Sequence, residues 1–257
     1  MEVLPFSPSP ALAQVVRVFE VVRAGEAETH TLLPEPGLVL AFRFGGSAVM
    51  TDRRGARPLA DEVVTGVRLE TRSMRTAAGG AAVIAKLHVG AAPALFREGA
   101  HRLFGLTRAL RGLRGFEDVA LRGALAALAT DAARVGHVDA LLTARLRPDV
   151  APDPIVAAAL AAIAADPAGV RVAALSDDLD LAQDSLEKRF RRAVGATPKQ
   201  LATLLRLRAA LRGYAPGASL TALALAAGYY DQSHFIRNVR AATGDAPRRF
   251  LGRDDVC

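Results

Sequence analysis

Two stretches of the chain, 48 to 49 positions apart, repeat the same order of apolar residues and stop signals. The offset is 48 in the first half of each stretch and 49 in the second half. The matched residues are Val172 with Leu220, Leu175 with Leu223, Leu181 with Tyr229, Leu186 with Phe235, Phe190 with Val239, Gly195 with Gly244, and Pro198 with Pro247. A pattern of this length that occurs only twice indicates a duplicated supersecondary unit rather than a solenoid. The extra residue of the second copy lies at its central turn, where an insertion is best tolerated.

Each copy has the pattern of a helix, a short turn and a second helix that ends at Gly and Pro. Two short helices joined in this way form a helix-turn-helix, whose second helix enters the major groove of DNA with its N-terminal residues facing the base edges. Residues 198–213 predict one continuous amphipathic helix between the copies, with leucines inward and Arg206, Arg208 and Arg212 on other faces. Such a connecting helix holds two units at a fixed separation, so one chain can contact two successive major-groove faces.

The second copy contains the segment AAGYYDQSHFIR, from Ala226 to Arg237, followed by Thr243, Gly244, Pro247 and Phe250. The first copy supplies Leu186, Arg189, Phe190, Gly195, Thr197, Pro198, Arg206 and Leu207. On these residues, region 154–252 closely resembles the DNA-binding domain of AraC/XylS-family transcriptional regulators. The resemblance implies two helix-turn-helix units joined by a long helix, and double-stranded DNA as the partner.

The first copy departs from the family pattern at its turn and at its second helix. Asp180 stands where the family favours Gly, and Ala182 stands where a capping Ser is usual. The helix also carries Asp184 and Glu187, and carboxylates near phosphate are repelled, although one can accept a hydrogen bond from cytosine N4. Base reading by the first unit therefore stays open. A ligand-gated interaction protein without specific DNA binding is the alternative function. In the second copy, Val239 replaces the usual aromatic residue, which changes packing rather than recognition.

Polar residues near the start of each second helix are the candidate DNA contacts. Glutamine can pair bidentately with adenine and arginine with guanine, whereas phosphate contacts position the protein without specifying sequence. For base edges or phosphate we predict Gln232, Ser233, His234 and Arg237 in the second helix, and Gln183, Ser185, Lys188 and Arg192 in the first. Arg248 and Arg249 are predicted to contact backbone phosphate. The alternative is structural: Ser233 caps its helix, His234 is a solvated surface residue, and the polar side chains form a solvated face.

The N-terminal part has the pattern of short strands separated by turn residues. Residues 38–44 alternate in part, with Phe42 and Phe44 on one face and Arg43 on the other. Further strands are predicted at residues 63–64, 67–69 and 82–89, in a small barrel or sandwich, and a helix at residues 11–19. Within residues 96–147, apolar residues recur at helical spacing. This part resembles, less closely, the β-rich sensor domain that precedes the DNA-binding module in one bacterial branch of the family.

Residues 148–154, rich in Pro and Asp, predict a linker. We therefore divide the chain into a regulatory domain, residues 1–150, and a DNA-binding domain, residues 151–257. A helix is predicted to follow at residues 154–165, with Asp153 as the N-cap and Pro154 at the first helical position. The fold class is α+β with two domains: a β-rich N-terminal domain with a helical segment, and an all-α C-terminal domain with two helix-turn-helix units.

Composition excludes several classes of protein. The 257 residues carry a net charge of +7, which permits an anionic partner, but the charge is spread over both halves. The one cysteine, Cys257, permits neither an intramolecular disulfide nor a cysteine zinc site. Alkyl transfer to Cys257, as in repair proteins with a similar module, is disfavoured because no activating partner is near it in sequence. The five histidines form no HxH or HExxH pair, and no nucleophile elbow, Walker loop or dinucleotide fingerprint is present.

These observations predict a sequence-specific DNA-binding transcriptional regulator that is not an enzyme and needs no cofactor or metal. Its N-terminal domain is expected to bind a small-molecule effector or to mediate homodimerisation, and RNA polymerase is a further candidate partner. The N-terminus has no signal-peptide pattern, and the longest apolar stretch, residues 155–165, is too short to cross a bilayer. A cytoplasmic protein without membrane contact is therefore expected.

Overall fold

The computed structural model of the chain describes residues 1–215 and 217–253, and Cys257 lies outside them. Two antiparallel sheets make up most of the N-terminal region. The strands are β1 (Glu2–Phe6), β2 (Val16–Ala24), β3 (Glu28–Leu32), β4 (Val39–Gly45), β5 (Ala48–Asp52), β6 (Gly55–Pro58), β7 (Glu62–Thr65), β8 (Arg72–Thr76), β9 (Gly80–Leu87) and β10 (Thr107–Ala109). The larger sheet has the order β1-β2-β9-β4-β7-β10, and the smaller has the order β3-β8-β5-β6.

The larger sheet separates two environments because successive side chains of a strand point to opposite faces. On β4, Leu40, Phe42 and Phe44 join the main apolar core together with the helical segment that follows the sheets. The alternate residues Val39, Ala41 and Arg43 face the other way and line a cavity between the two sheets. The sequence prediction that Arg43 lies on the opposite face from the two phenylalanines is confirmed.

Two predictions for the N-terminal region are wrong. Residues 16–24 form β2 rather than the end of a helix at 11–19, because this stretch is rich in valines, which fit a pleated sheet better than a helix. Residues 67–69 lie outside any strand. Residues 96–147, which were predicted to be helical, are helical only in part. Its first half contains short 3-10 turns and β10, whereas α1 (Arg122–Ala127) and α2 (Asp131–Ala144) come later.

The C-terminal region is helical, and its helices begin and end close to the predicted positions. They are α3 (Pro154–Ala165), α4 (Val172–Asp178), α5 (Gln183–Val194), α6 (Pro198–Arg212), α7 (Leu220–Ala226), α8 (Gln232–Thr243) and α9 (Pro247–Leu251). Asp153 caps α3 as predicted, with its side chain accepting from the backbone N–H of Ile155 at 3.0 Å. The α+β fold, with a β-rich N-terminal region and two helix-turn-helix units in a helical C-terminal region, is confirmed.

Three apolar clusters hold the described chain together. The largest lies in the N-terminal region but also takes in Ala196 and Leu204 from the C-terminal region. A second cluster joins α3 to the first helix-turn-helix unit, and a third joins the end of α6 to the second unit. The connecting helix α6 therefore contributes to every cluster. The domain boundary near residue 150 stays a prediction.

Candidate functional site

The two helix-turn-helix units repeat each other residue by residue. Helices α4 and α7 begin 48 positions apart, and helices α5 and α8, of 12 residues each, begin and end 49 positions apart. The turn between the helices spans residues 179–182 in the first unit and 227–231 in the second. The additional residue of the second copy is thus in the turn, as predicted. Both second helices end at a left-handed glycine, Gly195 with φ 98° and Gly244 with φ 80°.

The turn of each unit needs one residue with a positive φ. In the second unit it is Gly228, with φ 74°, and the position 48 residues earlier is Asp180, with φ 51°. Asp180 is the one non-glycine residue with a positive φ in the described chain. The departure noted in the sequence therefore concerns backbone conformation: Asp180 adopts the conformation that glycine adopts without steric cost.

Helix α8 has one exposed face, which three polar side chains form. Phe235, Val239 and Ala242 are buried. At 100° per residue, Ser233, Arg237 and Arg240 point away from them, and all three are exposed. Two of the three were predicted as DNA contacts. Arg237 is the exposed arginine of α8 that lies nearest its N-terminus, where recognition helices contact base edges.

Gln232 and His234 make contacts within the protein. The Thr221 hydroxyl donates to Gln232 Oε1 at 2.7 Å, which ties α8 to α7. The His234 ring stands edge-on against Tyr229, with 5.3 Å between the ring centroids. Asp231 caps α8 by accepting from the backbone N–H of His234 at 2.6 Å, so Ser233 is not the cap. Of the four predicted residues in α8, the structure brings Ser233 and Arg237 together on the exposed face of the helix.

Helix α5 presents Ser185, Lys188 and Arg192 on one exposed face, while Gln183 lies elsewhere and donates to Glu187 Oε1 at 3.2 Å. Arg192 is in the last turn, where α5 packs against residues 100–103 of the N-terminal region. Ala182 provides no side-chain cap for this helix. Ser185 and Lys188 are therefore the predicted residues best placed to reach DNA from the first unit.

Three residues of this surface were missed from the sequence. Arg191 and Arg240 are exposed and occupy equivalent positions at the offset of 49, as Lys188 and Arg237 do. Applying that offset to the basic residues as well as to the apolar ones would have found them. Tyr230 is 89% exposed in the turn immediately before the cap of α8. No sequence signal distinguishes Tyr230 from its buried neighbour Tyr229.

Arg248 and Arg249 are exposed on α9, next to the second unit. Arg249 Nε lies 3.4 Å from a carboxylate oxygen of Asp245. The Arg249 side chain is 82% exposed, so the pair holds the guanidinium only weakly.

Polar contacts join the N-terminal region to the C-terminal helices. At the end of α8, the carbonyl of Ala241 accepts from Arg53 Nη2 at 3.0 Å, and that of Ala242 accepts from the Thr71 N–H at 2.8 Å. On α6, Arg208 donates to the Pro34 carbonyl at 2.6 Å and to Glu35 Oε1 at 3.3 Å. Arg208 is thus a contact between regions. Burial lowers its pKa, and the charge of Glu35 opposes that effect.

A cavity of about 300 Å³ lies between the two sheets. Residues from both sheets line it, and most of them are apolar. Glu35, which pairs with Arg208, is part of its lining. The cavity wall is therefore in direct contact with the helix that connects the two helix-turn-helix units. Among the described residues, no helix is long and apolar enough to cross a bilayer, and no group of three His, Cys, Asp or Glu side chains is arranged to hold a metal ion.

Comparison with known proteins gives a family match in the C-terminal region and structural likenesses that extend to both regions. The family model described as Helix-turn-helix domain matches residues 175–253. The structure of ToxT from Vibrio cholerae O395 bound to (E)-4-(8-methylnaphthalen-1-yl)but-3-enoic acid has a TM-score of 0.50 and 12% identity, covering 91% of this chain and 97% of ToxT. That likeness concerns the fold, which includes both regions.

Two further structures match a smaller part of this chain. A DNA-binding transcriptional dual regulator from Escherichia coli K-12 is 25% identical over 40% of this chain and 94% of its own, with a TM-score of 0.33. A probable AraC family transcriptional regulator from Rhodopseudomonas palustris CGA009 is 26% identical over 38% of this chain and 95% of its own, also with a TM-score of 0.33. A comparison with curated proteins gives no match.

Proposed function

We propose that this protein, whose residues 175–253 form a helix-turn-helix domain of the AraC type, is a sequence-specific DNA-binding transcriptional regulator. The observation that carries the proposal is the equivalence of the two exposed helix faces. Lys188 and Arg237 occupy the same position of α5 and α8, and Arg191 and Arg240 do so one turn later. A duplicated unit that keeps its cations at equivalent exposed positions is suited to bind two equivalent stretches of one polyanion.

In this proposal, α5 and α8 enter successive major grooves, and α6 fixes their separation. Arg237 reads a base, because arginine can fork onto the O6 and N7 acceptors of guanine. The exposed cations at the end of each helix and on α9 neutralise phosphate and set the register. In the first unit, Lys188 neutralises phosphate and Ser185 donates a hydrogen bond to it, while Asp184 and Glu187 weaken contact with phosphate.

We propose further that the N-terminal region regulates DNA binding through a small-molecule effector. The cavity between the sheets could hold such a molecule, and Glu35 connects its lining to α6 through Arg208. ToxT, which shares the fold, binds a small organic molecule in the structure compared above. Homodimerisation and contact with RNA polymerase stay predictions of the sequence.

Selection of bound DNA from a random pool, at near-physiological salt, tests the proposal. The full-length protein is compared with Arg237→Ala and with Lys199→Ala. The second variant removes an exposed cation on α6, outside the exposed faces of α5 and α8. We expect a motif of two half-sites about one helical turn apart. Arg237→Ala should relax one position of one half-site, at a cost of about 1–3 kcal/mol in discrimination, and Lys199→Ala should leave the motif unchanged.

An interaction protein without specific DNA binding is the second candidate, favoured by the acidic residues of α5. It predicts no enriched motif and an affinity for DNA that hardly changes with salt. True phosphate contacts give a steep fall of affinity with salt concentration. An effector-dependent regulator would recover the motif when an effector is added, whereas the interaction protein would not.

A further inference from the structure

The lining of the cavity between the sheets combines apolar walls with charged side chains. Its apolar part includes Val22, Val39 and Ile84 from the larger sheet and Met74 from the smaller one. A volume of about 300 Å³ is at the lower end of the range for ligand pockets. Walls of this kind favour a ligand with a hydrocarbon body, because removing apolar surface from water lowers the free energy.

Arg43 enters this cavity from β4 of the larger sheet with its charge unpaired. The residue is 6% exposed, and its Nε is buried without a hydrogen-bond partner. Within the described chain, no ion pair or hydrogen bond reaches its guanidinium. The carboxylate that attracts Arg43, Asp61, pairs with Arg122 at 2.6 Å instead. Burial is the main influence on Arg43 and lowers its pKa.

Arg72 lines the same cavity from β8 of the smaller sheet, and the residue as a whole is half-buried. Its Nε is also buried without a partner. Burial first, and then repulsion by Arg68, lowers the pKa of Arg72 to about 10. The carboxylates that attract Arg72 are engaged elsewhere. Asp52 binds Arg57 at 2.8 Å and Arg68 at 2.5 Å, and Glu35 binds Arg208 at 3.3 Å.

The other cations of the lining are paired. Lys86 donates to Glu20 at 2.7 Å, and Arg23 binds Asp131. Arg43 and Arg72 therefore differ from their neighbours, and they lie on opposite walls. Their charged surroundings do not overlap, since Asp61 and Arg122 influence the first, whereas Arg68, Glu35 and Asp52 influence the second. The cavity thus has two separate cationic points with apolar surface around them.

A buried guanidinium without a counter-charge is costly, and one anion can compensate only one of two separated cations. We propose that the cavity binds an apolar molecule with an acidic group at each end, of the medium-chain dicarboxylate class. One carboxylate pairs with Arg43, the other pairs with Arg72, and the hydrocarbon between them contacts the apolar walls. Both guanidinium groups can fork onto a carboxylate with two hydrogen bonds.

This inference deepens the proposed function, on which its regulatory meaning rests, by naming the chemistry of the effector. The charge of Glu35 acts on Arg72, so a carboxylate bound at Arg72 repels the carboxylate of Glu35. Glu35 is the partner of Arg208 on α6, so the occupied cavity changes the contact that holds the connecting helix. Binding of the dicarboxylate itself can be measured without DNA.

Isothermal titration of the full-length protein with three probes of equal chain length tests the proposal. The probes are decanedioate, decanoate and decane-1,10-diol. Each charged hydrogen-bonded pair that is lost should weaken binding by about tenfold or more. We therefore expect one decanedioate per chain, bound about ten times more tightly than decanoate, with the diol weakest. Equal binding of decanoate and decanedioate, equal binding of the diol, or no binding of any probe would each overturn the proposal.

Variants locate the two acidic groups. Arg43→Met and Arg72→Met keep the apolar stem, and each should reduce the affinity for decanedioate to that of decanoate. Arg75→Met is the matched control, because Arg75 is on β8 but exposed and outside the cavity lining, and it should change nothing. Thermal unfolding of the unliganded variants checks folding and gives a second readout. Both cavity variants should melt no lower than the parent, since each removes an unpaired buried charge.

The outcome is independent of the DNA selection experiment. A protein that binds decanedioate as described but enriches no DNA motif, either with or without decanedioate, would retain this inference and lose the proposed function. A protein with a clear DNA motif and no preference for the dicarboxylate would retain the proposed function and lose this inference.

Discussion

At the scale of single residues, the second helix-turn-helix unit depends on one glycine. Gly228 combines a φ of 74° with a close approach, since a Cβ built on it would lie 2.3 Å from the Cβ of Ala168. The left-handed conformation alone costs a residue with a side chain about 1–2 kcal/mol. Asp180 bears that conformation in the first unit.

We predict that Gly228→Ala lowers the free energy of unfolding by about 2–4 kcal/mol, because it adds steric overlap to the backbone cost. Denaturant unfolding followed by circular dichroism measures the change. Gly244→Ala is the control: its φ is 80°, but nothing lies within 4 Å of an added Cβ. The control should lose only about 1–2 kcal/mol, and equal losses in the two variants would refute the role of the contact with Ala168.

A second residue, Asp52, stabilises the smaller sheet through its charge. Its side chain is 5% exposed and pairs with Arg57 at 2.8 Å and Arg68 at 2.5 Å. The hydrogen bond from Arg57 is the main cause that holds the pKa of Asp52 far below the ordinary value of an aspartate. Because the pKa is lower in the folded state, this stabilisation is fully present above the unfolded pKa of about 4 and is lost as the pH falls below it.

We predict that Asp52→Asn lowers stability at pH 7 by about 3 kcal/mol, since it leaves the buried Arg68 without a counter-charge. The variant should also lose part of the decline in stability that the parent shows between pH 5 and lower values. Urea unfolding at a series of pH values tests both effects. Asp118→Asn is the control, because Asp118 pairs with Arg145 but is 74% exposed, and it should leave stability nearly unchanged. A parallel decline in parent and Asp52→Asn would contradict the assignment.

At the scale of elements, the two recognition helices are matched in length and end, but not in how they begin. Asp231 caps α8 with its side chain, whereas α5 begins at Ala182 without a side-chain cap. The first N–H groups of α5 thus lack the partner that α8 has, although both helices bury the same kind of apolar stripe. The sequence already indicated this difference, since Ala182 stands where the family has Ser.

We predict that Ala182→Ser stabilises the protein by about 0.5–2 kcal/mol, because Ala182 already has the extended backbone of a cap residue, with φ −63° and ψ 137°. Thermal unfolding measures the gain. The reciprocal variant, Asp231→Ala, should lose a similar amount. If Ala182→Ser has no effect while Asp231→Ala destabilises the protein, the missing cap of α5 does not limit its stability.

At the scale of the whole molecule, the N-terminal region contacts both recognition helices and the helix that connects the two units. It packs against the end of α5, donates hydrogen bonds to the last carbonyls of α8, and binds Arg208 of α6. A movement of this region can therefore change the relative placement of both units. Binding across two units should also show the salt dependence of many phosphate contacts.

We predict that Arg248→Ala and Arg249→Ala weaken binding to all DNA sequences alike. Each variant should reduce the slope of log affinity against log salt by about 1, since each removes one phosphate contact. Fluorescence anisotropy at several salt concentrations measures this slope. Arg108→Ala, an exposed arginine on β10, serves as the control and should keep the parent slope. A change in the preferred motif would show that Arg248 or Arg249 reads bases.

The helical half of the molecule could be predicted from the amino-acid sequence. The spacing of Val172, Leu175, Leu186 and Phe190 and the glycine at the end of each second helix predicted α4 to α8 closely. Those signals act within a few residues, through helical periodicity and capping, so neighbouring residues suffice to define them. The same reasoning failed at residues 11–19, where the paired strands β1 and β9 hold the valine-rich stretch extended.

Which polar side chains remain exposed, in contrast, depends on how the helices and sheets pack. Gln232 and His234 are polar residues at the start of α8, as Ser233 and Arg237 are. Thr221 contacts Gln232 and Tyr229 contacts His234 once the helices pack. Arg43 was expected on the face opposite Phe42, yet no local pattern could show that Arg72 would enter the same cavity from the facing sheet. Such encounters depend on how distant strands pair and stack, because each partner alone satisfies its local rules in many arrangements.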